Sequence, residues 1–443
     1  MRVLVLVDGE HYPPVTRWGL ATARSVGHEV LAALLVGGVE KLDPGAVPDL
    51  GVPVIPALGA AARALAAAIE DLKPEAVLDL CDEPVLGYRE RMELASVALA
   101  RGVIYLGPDF RFDPPIHGPA LPRPTLAVIG TGKRTGKTAI SAALARAAAA
   151  AGHDPVVVAM GRGGPAEPQV AEAGSVTVEH LIRLVREGRH AASDYLEDAL
   201  TAGVTTIGAR RAGGGMAGAP FVSNVRAAAE LAVQREPGIV ILEGSGASIP
   251  PIPWDAGVLV VPASVPPEYL GGYLGPFRLL LSDLVVFTMA GSSSDGLSRL
   301  PALKAHVKRI RGDARFLVTD FQPVPLGEVR GRRAFFTTTA PGDAAARQVA
   351  HLESIHGCLV VGSSARLADR AGLAEDMDDS QDFEVLLTEL KAAAVDVACE
   401  RAIARGAEVV FVDNRPVVTE GDDDLDRAFE QTIELAVRRA RAR

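Results

Sequence analysis

The feature that most constrains this chain is a glycine-rich segment, "GTGKRTGKT", which runs from Gly130 to Thr138. It follows the apolar run "TLAVIG", and the alanine-rich stretch after it predicts a helix from Thr138 to Ala151 that Gly152 ends. In a phosphate loop, glycines bring backbone N–H groups close to the phosphates, a lysine reaches the outer phosphates, and a final hydroxyl binds Mg²⁺. Strand, loop and helix in this order therefore predict a nucleotide-phosphate site.

The spacing of this loop differs from the common phosphate-loop pattern. Five positions before Gly136 stands Thr131, while the glycines occupy 130 and 132. A Gly-Thr pair at the start and Gly-Lys-Thr at the end resemble the loop of dethiobiotin synthetase and its relatives. That resemblance implies a P-loop enzyme with a largely parallel sheet that activates an acidic group by phosphorylation. The ATP-binding residues we predict are Gly130, Thr131, Gly132, Lys133, Arg134, Thr135, Gly136, Lys137 and Thr138.

Length and charge limit the function classes. The 443 residues exceed the roughly 250 to 300 at which a single core stops growing, so two or three packed units are expected. A net charge of -10 with scattered basic residues argues against a nucleic-acid-binding protein. Three cysteines far apart argue against a disulfide framework or a zinc site. The first apolar run stops at Asp8, too short for a signal peptide or membrane span, so we expect a cytoplasmic protein in a reducing compartment.

Apolar strand-like runs alternate with helical stretches along most of the chain, which predicts an α/β fold. We expect a P-loop NTPase-type, mostly parallel sheet, preceded by a smaller α/β domain. The proline-rich passage "DPPIHGPALPRP" from Asp113 to Pro124 is typical of a connector. The predicted divisions are residues 1–120, 121–330 and 331–443, the last being a third lobe or an extension of the second sheet. We further expect a helix over Phe383 to Arg405, closed by Gly406, and a packing role for Trp18.

A later apolar run, "IVILEGSG", supplies a candidate magnesium ligand. Glu243 ends that run, and the glycines after it leave room for phosphates. We predict that Thr138 and Glu243 hold Mg²⁺. An ordinary strand-terminal glutamate in a turn is the alternative interpretation.

Three arginines stand among glycines near predicted strand ends. Arg162 lies in "MGRGGPAEP", and Arg210 and Arg211 lie in "ARRAGGGMAG". Guanidinium groups beside free backbone donors suit a phosphorylated ligand. With Lys133 and Arg134 they supply more positive charge than ATP alone requires. Surface pairing of Arg210 and Arg211 with nearby acids remains the other possibility.

Polar residues also follow the first predicted strand. Asp8, Glu10 and His11 stand in "VDGEHYPP", where they could orient a substrate, bind a second metal or move a proton. A loop-capping Asp8 with a satisfied histidine is the structural alternative.

Five segments in the same order resemble the cyclic 2,3-diphosphoglycerate synthetase family. They are "LVDGEHYPPV", "GTGKRTGKT", "MGRGGPAEPQV", "RRAGGGMAG" and "LEGSGASIPP", and "TTTAP" at Thr337 to Pro341 is also similar. The resemblance implies ATP-dependent synthesis of cyclic 2,3-diphosphoglycerate from 2,3-diphosphoglycerate, with release of ADP and phosphate.

The resemblance also implies roles at the matching positions. Lys137 would stabilise the transferring phosphoryl group. Catalytic contributions are expected from Lys137, Arg162, Arg210 and Arg211, and substrate contacts from Arg162, Arg210, Arg211, Asp8, Glu10 and His11. We expect no nucleic-acid or membrane partner, and a homodimer from the chain's size.

Two other functions remain open at the level of sequence. A simple kinase of a phosphoglycerate-like acid would use the same loop but release a linear product. A P-loop switch ATPase would often place a lysine near the start of its loop, and Lys133 is one position later than that pattern.

Overall fold

The computed structural model describes residues 1–38, 40–42, 47–57, 59–292 and 294–443. The first part of the chain folds into a sheet with flanking helices. Its elements are β1 (Arg2–Asp8), α1 (Pro13–Ser25), β2 (Glu29–Gly37), β3 (Val54–Pro56), α2 (Ala61–Leu72), β4 (Ala76–Asp79), α3 (Tyr88–Ala100), β5 (Ile104–Leu106) and β6 (Arg111–Phe112). In the described residues the strand order is β3-β2-β1-β4-β5-β6, and the neighbours are parallel except β5 with β6.

The middle of the chain begins a second sheet. Its elements are β7 (Thr125–Gly130), α4 (Lys137–Ala150), β8 (Pro155–Gly161), β9 (Gln169–Ala171), α5 (Val178–Arg186), α6 (Asp194–Ala202), β10 (Thr206–Ala212), β11 (Val222–Ser223), α7 (Val225–Gln234), β12 (Ile239–Glu243), β13 (Ala256–Pro262), α8 (Glu268–Gly271), α9 (Gly275–Leu280), β14 (Leu284–Thr288), a 3₁₀ turn (Ala290–Ser292), α10 (Ser294–Ile310) and β15 (Arg315–Pro325).

The last part of the chain continues this second sheet. Its elements are β16 (Arg333–Thr337), α11 (Gly342–His351), a π-helical turn (Leu352–His356), β17 (Leu359–Ser364), α12 (Arg370–Asp378), β18 (Val385–Thr388), a second π-helical turn (Ala394–Cys399), α13 (Glu400–Ala404), β19 (Glu408–Gly421) and α14 (Leu425–Ala442).

Two long strands join the middle and last parts. The strand order is β11-β10-β8-β12-β7-β13-β14-β15-β19-β18-β16-β17 among the described residues, and β9 pairs with β10. The strands from β10 to β15 are parallel, as are those from β19 to β17, but β15 and β19 are antiparallel. The expected α/β fold with a mostly parallel P-loop sheet is confirmed, and the last part extends that sheet.

The antiparallel join also fixes where the last part lies. β15 pairs with β14 only up to Val318, and its later half continues beyond the carboxyl end of β14. The first residues of β19 pair with β18 beyond that end of the sheet. The rest of β19 then pairs antiparallel with β15, in the direction of the P-loop strands. The carboxyl ends of β16 and β18 therefore point back toward the carboxyl ends of the P-loop strands, the edge where open α/β sheets bind ligands.

The first sheet is joined to the second by helix packing. A single cluster of buried side chains includes Leu4 of β1 and Phe277 of α9. The rings of Tyr88 and Tyr273 meet at 5.9 Å beside this contact, and Glu93 pairs with Arg309 at 2.6 Å. The first sheet is therefore held against the segment that follows β13.

Two expectations about local structure are wrong. Trp18 is 74% exposed, because α1 buries Leu20 and Ala23 on the opposite face. The first part of Phe383 to Arg405 is not helical, since "VLLT" forms β18 with all four residues buried. A fully buried strand has no alternating pattern, so it resembles a buried helix in sequence. Gly406, with φ +74°, does end the following helix as expected.

Candidate active site

The loop between β7 and α4 is folded around Lys137. The Nζ of Lys137 donates to Gly132 O at 2.8 Å and to Thr135 Oγ1 at 3.2 Å. A Cβ at Gly130 would lie 2.9 Å from Thr135 Oγ1, and Gly136 has φ +85°, so both positions favour glycine. The loop thus has the geometry that a phosphate loop needs, with Lys137 in the first turn of the helix.

Neighbouring strand ends hold this loop in place. Thr288 Oγ1, at the end of β14, donates to Thr135 O at 2.7 Å, and Thr131 N donates to Val260 O of β13 at 3.4 Å. The ring of Phe321 on β15 lies against Gly136. The loop is therefore supported by three strands besides its own.

Burial perturbs the charge of Lys137. The residue is 7% exposed, and burial lowers the pKa of its ammonium to about 8, against the raising effect of the charges of Glu243 and Asp194. An anion placed in the loop would favour the charged ammonium, which suits a residue that binds phosphate.

Thr138 and Glu243 meet as the sequence predicts. Thr138 Oγ1 donates to Glu243 Oε1 at 2.9 Å, and Glu243 is 2% exposed. Its other oxygen, Oε2, accepts from no N–H or hydroxyl group of the described residues, although the carboxyls of Glu243 and Asp198 are close enough to share a hydrogen bond. Burial raises the pKa of the Glu243 carboxyl to about 7. A hydroxyl beside a buried, half-satisfied carboxylate fits a divalent cation.

Two acidic residues on α6, missed by the sequence analysis, lie at the same place. Asp198 is fully buried, and no donor in the described part of the chain reaches either of its carboxyl oxygens. Burial, and then the charge of Glu243, raises its pKa. Asp194, four residues earlier, lies in the fields of Lys137 and Arg162, and burial raises its pKa. The spacing of Asp194 and Asp198 puts both on one helix face, a signal that sequence could have given.

These carboxylates do not form a protein-only metal cage. The described ranges contain no group of three or more His, Cys, Asp or Glu side chains arranged to hold a metal ion. Mg²⁺ is usually bound by one or two carboxylates together with nucleotide phosphates and water, so the arrangement around Glu243 fits that ion when a nucleotide is present.

The three predicted arginines follow adjacent strands. Arg162 comes directly after β8, Arg210 and Arg211 lie near the end of β10, and β8 and β10 are paired. Arg162 and Arg210 are exposed, and Arg210 Nε donates to Gly164 O at 2.8 Å. Arg211 is 9% exposed and bonds to two backbone carbonyls. Within the described residues none of the three pairs with an acid, so the surface-pairing alternative is not what the structure has.

Asp8, Glu10 and His11 lie together on the other sheet. Asp8 Oδ1 accepts from the backbone of Glu10 and His11 and lies 2.8 Å from His11 Nδ1, while its Oδ2 accepts from Asp82 N at 2.8 Å. His11 Nε2 is 3.3 Å from Asp82 Oδ2. The group joins the loops after β1 and β4, and none of these contacts reaches the phosphate loop.

The last part of the chain adds further polar residues. Lys391, after β18, pairs with Glu197 of α6 at 3.2 Å. Glu389 is buried and accepts from Thr338 Oγ1 at 2.7 Å, Thr339 Oγ1 at 2.9 Å and Asn414 Nδ2 at 2.8 Å. The "TTTAP" segment therefore holds Glu389, two residues before the Lys391 that contacts α6. Local sequence does not reveal this role.

In the part of the chain that the structure describes, no helix is both long and apolar enough to cross a membrane.

Comparison with known proteins agrees with this architecture. Three family descriptions match the chain: the N-terminal domain of cyclic 2,3-diphosphoglycerate synthetase over residues 2–113, its P-loop domain over 125–319 and its C-terminal domain over 325–415. A crystal structure of LpxK from Aquifex aeolicus with ATP is similar at 14% identity, covering 72% of this chain and 90% of that one, but a TM-score of 0.41 supports no further argument.

Curated relatives match nearly the whole chain. The cyclic 2,3-diphosphoglycerate synthetase of Rubrobacter xylanophilus is 47% identical over 430 residues, which cover 96% of this chain and 97% of the relative. Those of Methanothermobacter thermautotrophicus and Methanothermus fervidus are 41% and 40% identical, with 98% of this chain covered in each case and 96% and 97% of the relatives. By these matches and by its phosphate-loop architecture, the chain belongs to the cyclic 2,3-diphosphoglycerate synthetase family.

Proposed function

We propose that this protein uses ATP to convert 2,3-diphosphoglycerate into cyclic 2,3-diphosphoglycerate, releasing ADP and phosphate. Besides the family, one observation carries the proposal: three arginines that pair with no acid in the described part of the chain lie at the same sheet edge as the phosphate loop. A site for one nucleotide needs less positive charge than this. A substrate with two phosphates accounts for the excess.

The nucleotide is assigned to the loop. Gly130 to Thr138 would surround the triphosphate of ATP, and the Lys137 ammonium would contact the phosphoryl group in transfer. Thr138 and Glu243 would hold Mg²⁺, with Asp194 and Asp198 beside them. When bound, the ion supplies charge neutralisation of the phosphate oxygens.

The substrate is assigned to the arginines. Arg162, Arg210 and Arg211 would bind the phosphates of 2,3-diphosphoglycerate, and Lys133 is a further candidate. Bringing a triphosphate and two phosphate groups together creates a strong repulsion, which these cations offset. The proposed roles of Asp8, Glu10 and His11 at the substrate require the first domain to close over the second.

The reaction can be written as two phosphoryl transfers. An oxygen of one substrate phosphate attacks the γ-phosphorus of ATP, the bond to the β-bridging oxygen breaks, and ADP leaves. An oxygen of the neighbouring phosphate then attacks the phosphorus of the activated phosphate, and the terminal phosphate leaves with the electrons of its bridging bond. The product contains an internal pyrophosphate. Closure is intramolecular between adjacent carbons, so it benefits from proximity.

Phosphorus NMR of the purified protein with Mg²⁺, ATP and 2,3-diphosphoglycerate tests the proposal. We expect coupled pyrophosphate-type signals on the glycerate with one ADP and one free phosphate for each ring closed. A linear phosphorylated product without free phosphate would show that the protein is a simple kinase and does not close a ring. ATP left intact would overturn the substrate assignment.

Domain boundaries near residues 120 and 330, the homodimer and the cytoplasmic location stay predictions. Sedimentation equilibrium of the full chain tests the homodimer, and a mass of one chain across a wide concentration range would contradict it.

A further inference from the structure

Arg278 is a buried arginine outside the phosphate loop and the three-arginine group. It lies on α9 and is 7% exposed. Its guanidinium donates to Leu274 O at 3.2 Å and to Ala247 O at 2.8 Å, and its Nε has no partner in the described residues. Both bonds go to neutral carbonyls, and no carboxylate in the described ranges pairs with it. A guanidinium has five N–H donors, so several remain available.

Arg211 approaches the same turn from the other side of the site. Its Nη2 donates to Ser245 O at 2.8 Å, and its Nε is also buried without a partner in the described part of the chain. Arg211 and Arg278 thus bond to carbonyls two positions apart in the turn from Gly244 to Ser248. This turn directly follows Glu243, so it lies beside the proposed nucleotide site.

The turn itself offers backbone donors. Ser245 and Ser248 bond to each other through their backbones, but the N–H groups of Gly246 and Ala247 donate to nothing among the described residues. Gly246 has φ +60°, and a Cβ there would lie 3.3 Å from Arg211 Nη2. Among the described residues, the turn therefore brings backbone N–H groups that donate to nothing close to the guanidinium of Arg211, whose Nε also has no acceptor.

A buried guanidinium without a carboxylate in contact is costly to maintain, and neither Arg278 nor Arg211 has such a contact among the described residues, although the charge of Asp194 acts on Arg211. Buried charges are normally paired with an opposite charge, because the loss of hydration is otherwise uncompensated. Burial lowers the pKa of Arg278 to about 10, with no charged neighbour that opposes the shift. A bound anion supplies the missing charge.

We propose that Arg278 and Arg211, with the Gly244 to Ser248 turn, form a subsite for the substrate phosphate that does not receive the phosphoryl group of ATP. The inference rests on the proposed function for the identity of the substrate. The Gly244 to Ser248 turn directly follows Glu243, so the subsite adjoins the proposed nucleotide site. It assigns Arg278, absent from the sequence predictions, to substrate binding.

Thermal unfolding of the full chain with increasing inorganic phosphate tests this subsite. A non-hydrolysable ATP analogue and Mg²⁺ are kept saturating, so that the phosphate loop is already filled. The variants are Arg278→Met, Arg278→Lys and, as matched control, Arg311→Met. The side chain of Arg311 is also mostly buried, at 18% exposed, but it pairs with Asp283 at 2.8 Å. Glycerate serves as a probe that carries the carboxylate but no phosphate.

We expect phosphate, and not glycerate, to stabilise the wild type and Arg311→Met. The apparent phosphate affinity should fall at least about tenfold in Arg278→Met and less in Arg278→Lys. A lysine keeps the positive charge but cannot donate two parallel hydrogen bonds to one phosphate as a guanidinium does. Without phosphate, Arg278→Met should unfold no earlier than the wild type, because an uncompensated charge is removed. A merely structural arginine would instead lower the unfolding temperature and leave the phosphate response unchanged.

Three outcomes would overturn the subsite: equal phosphate stabilisation of Arg278→Met and wild type, no phosphate stabilisation of the wild type, or stabilisation by glycerate instead of phosphate. If Arg278→Met does not fold, the comparison of Arg278→Lys with Arg311→Met decides in the same way. The binding measurement is independent of ring closure. If the protein binds phosphate at this subsite but NMR shows no cyclic product, the proposed reaction is wrong and the subsite proposal still holds.

Discussion

Thr138 and Glu243 are 105 positions apart in the chain, and a 2.9 Å hydrogen bond joins Thr138 Oγ1 to Glu243 Oε1. The contact follows from the topology. β7 and β12 are adjacent and parallel, so the helix after one strand and the last residue of the other meet at a single edge. A hydroxyl and a carboxylate are thereby fixed together beside the phosphate loop.

Replacing Glu243 by glutamine should separate its chemical role from its structural one. Glutamine still accepts the Thr138 hydrogen bond but lacks the charge that would hold Mg²⁺. We expect ATP turnover to fall about 100-fold and the Mg²⁺ concentration for half-maximal rate to rise. A Mg²⁺ titration of phosphate release checks this, and an unchanged Mg²⁺ dependence would return Glu243 to a structural position.

The same variant makes a prediction about stability. Burial raises the pKa of Glu243 to about 7 in the folded protein, above its ordinary value of 4.5. Its contribution to the free energy of unfolding is therefore greatest below 4.5 and is lost as pH rises through 7. Urea unfolding should show Glu243→Gln to be at least as stable as the wild type near pH 8. A large loss of stability there would show that burial does not penalise the charged carboxylate.

Lys137→Ala should abolish turnover while the fold survives. Among the described residues its ammonium donates to the loop itself, at Gly132 O and Thr135 Oγ1, so the substitution removes the positive charge of the proposed phosphate site. We expect the turnover number to fall about 1,000-fold with an unchanged circular dichroism spectrum. Lys133→Ala, at an exposed position of the same loop, should lose less than about tenfold. Wild-type activity in Lys137→Ala would remove the phosphate-loop assignment.

The parts of this site that the sequence reveals are those encoded locally. The loop from Gly130 to Thr138 is contiguous and lies between a strand and a helix, so its fold could be predicted from one segment. Glu243 was found because it ends an apolar run beside glycines. In each case a residue of the required chemistry stands in a local sequence pattern that few other structures would produce.

The residues that sequence reasoning missed depend on distant contacts. Asp198 becomes a candidate site residue only because it lies near Glu243, and Lys391 only because it pairs with Glu197 on helix α6, far earlier in the chain. Arg278 stands out because no carboxylate in the described part of the chain pairs with it, and no local sequence pattern shows that. Trp18 was misassigned for a related reason, because its exposure depends on which helix face meets the sheet.

His11 should make the stability of the first domain depend on pH. The hydrogen bond with Asp8 raises the pKa of His11 above 6.5, and burial opposes that rise. The stabilising contribution of the protonated ring is therefore full below 6.5 and is lost as pH rises through the folded-state pKa. Since the side chain is 32% exposed, we expect at most about 1 kcal/mol.

Urea unfolding of the wild type and His11→Gln, at about pH 6 and about pH 9, measures this effect. The wild type should have a higher free energy of unfolding than the variant, and this difference should be larger at the lower pH. An equal difference at both pH values would mean that the pair with Asp8 does not require a charged histidine.

Gly136→Ala should disrupt the loop for two separable reasons. Gly136 has φ +85°, which alanine adopts only with strain, and its Cβ would lie 2.5 Å from Phe321 Cζ. We expect the free energy of unfolding to fall by about 1–3 kcal/mol and MgADP binding, measured by calorimetry, to be lost. Gly132→Ala is the matched control, because no heavy atom lies within 4 Å of a Cβ there and its stability should stay within about 0.5 kcal/mol of the wild type. Adding Phe321→Leu to Gly136→Ala relieves the ring clash but not the backbone strain. The free energy of unfolding should therefore be restored only in part. Equal stabilities of the Gly132 and Gly136 variants would contradict this account, since they would show that neither the ring nor the backbone angle constrains the loop.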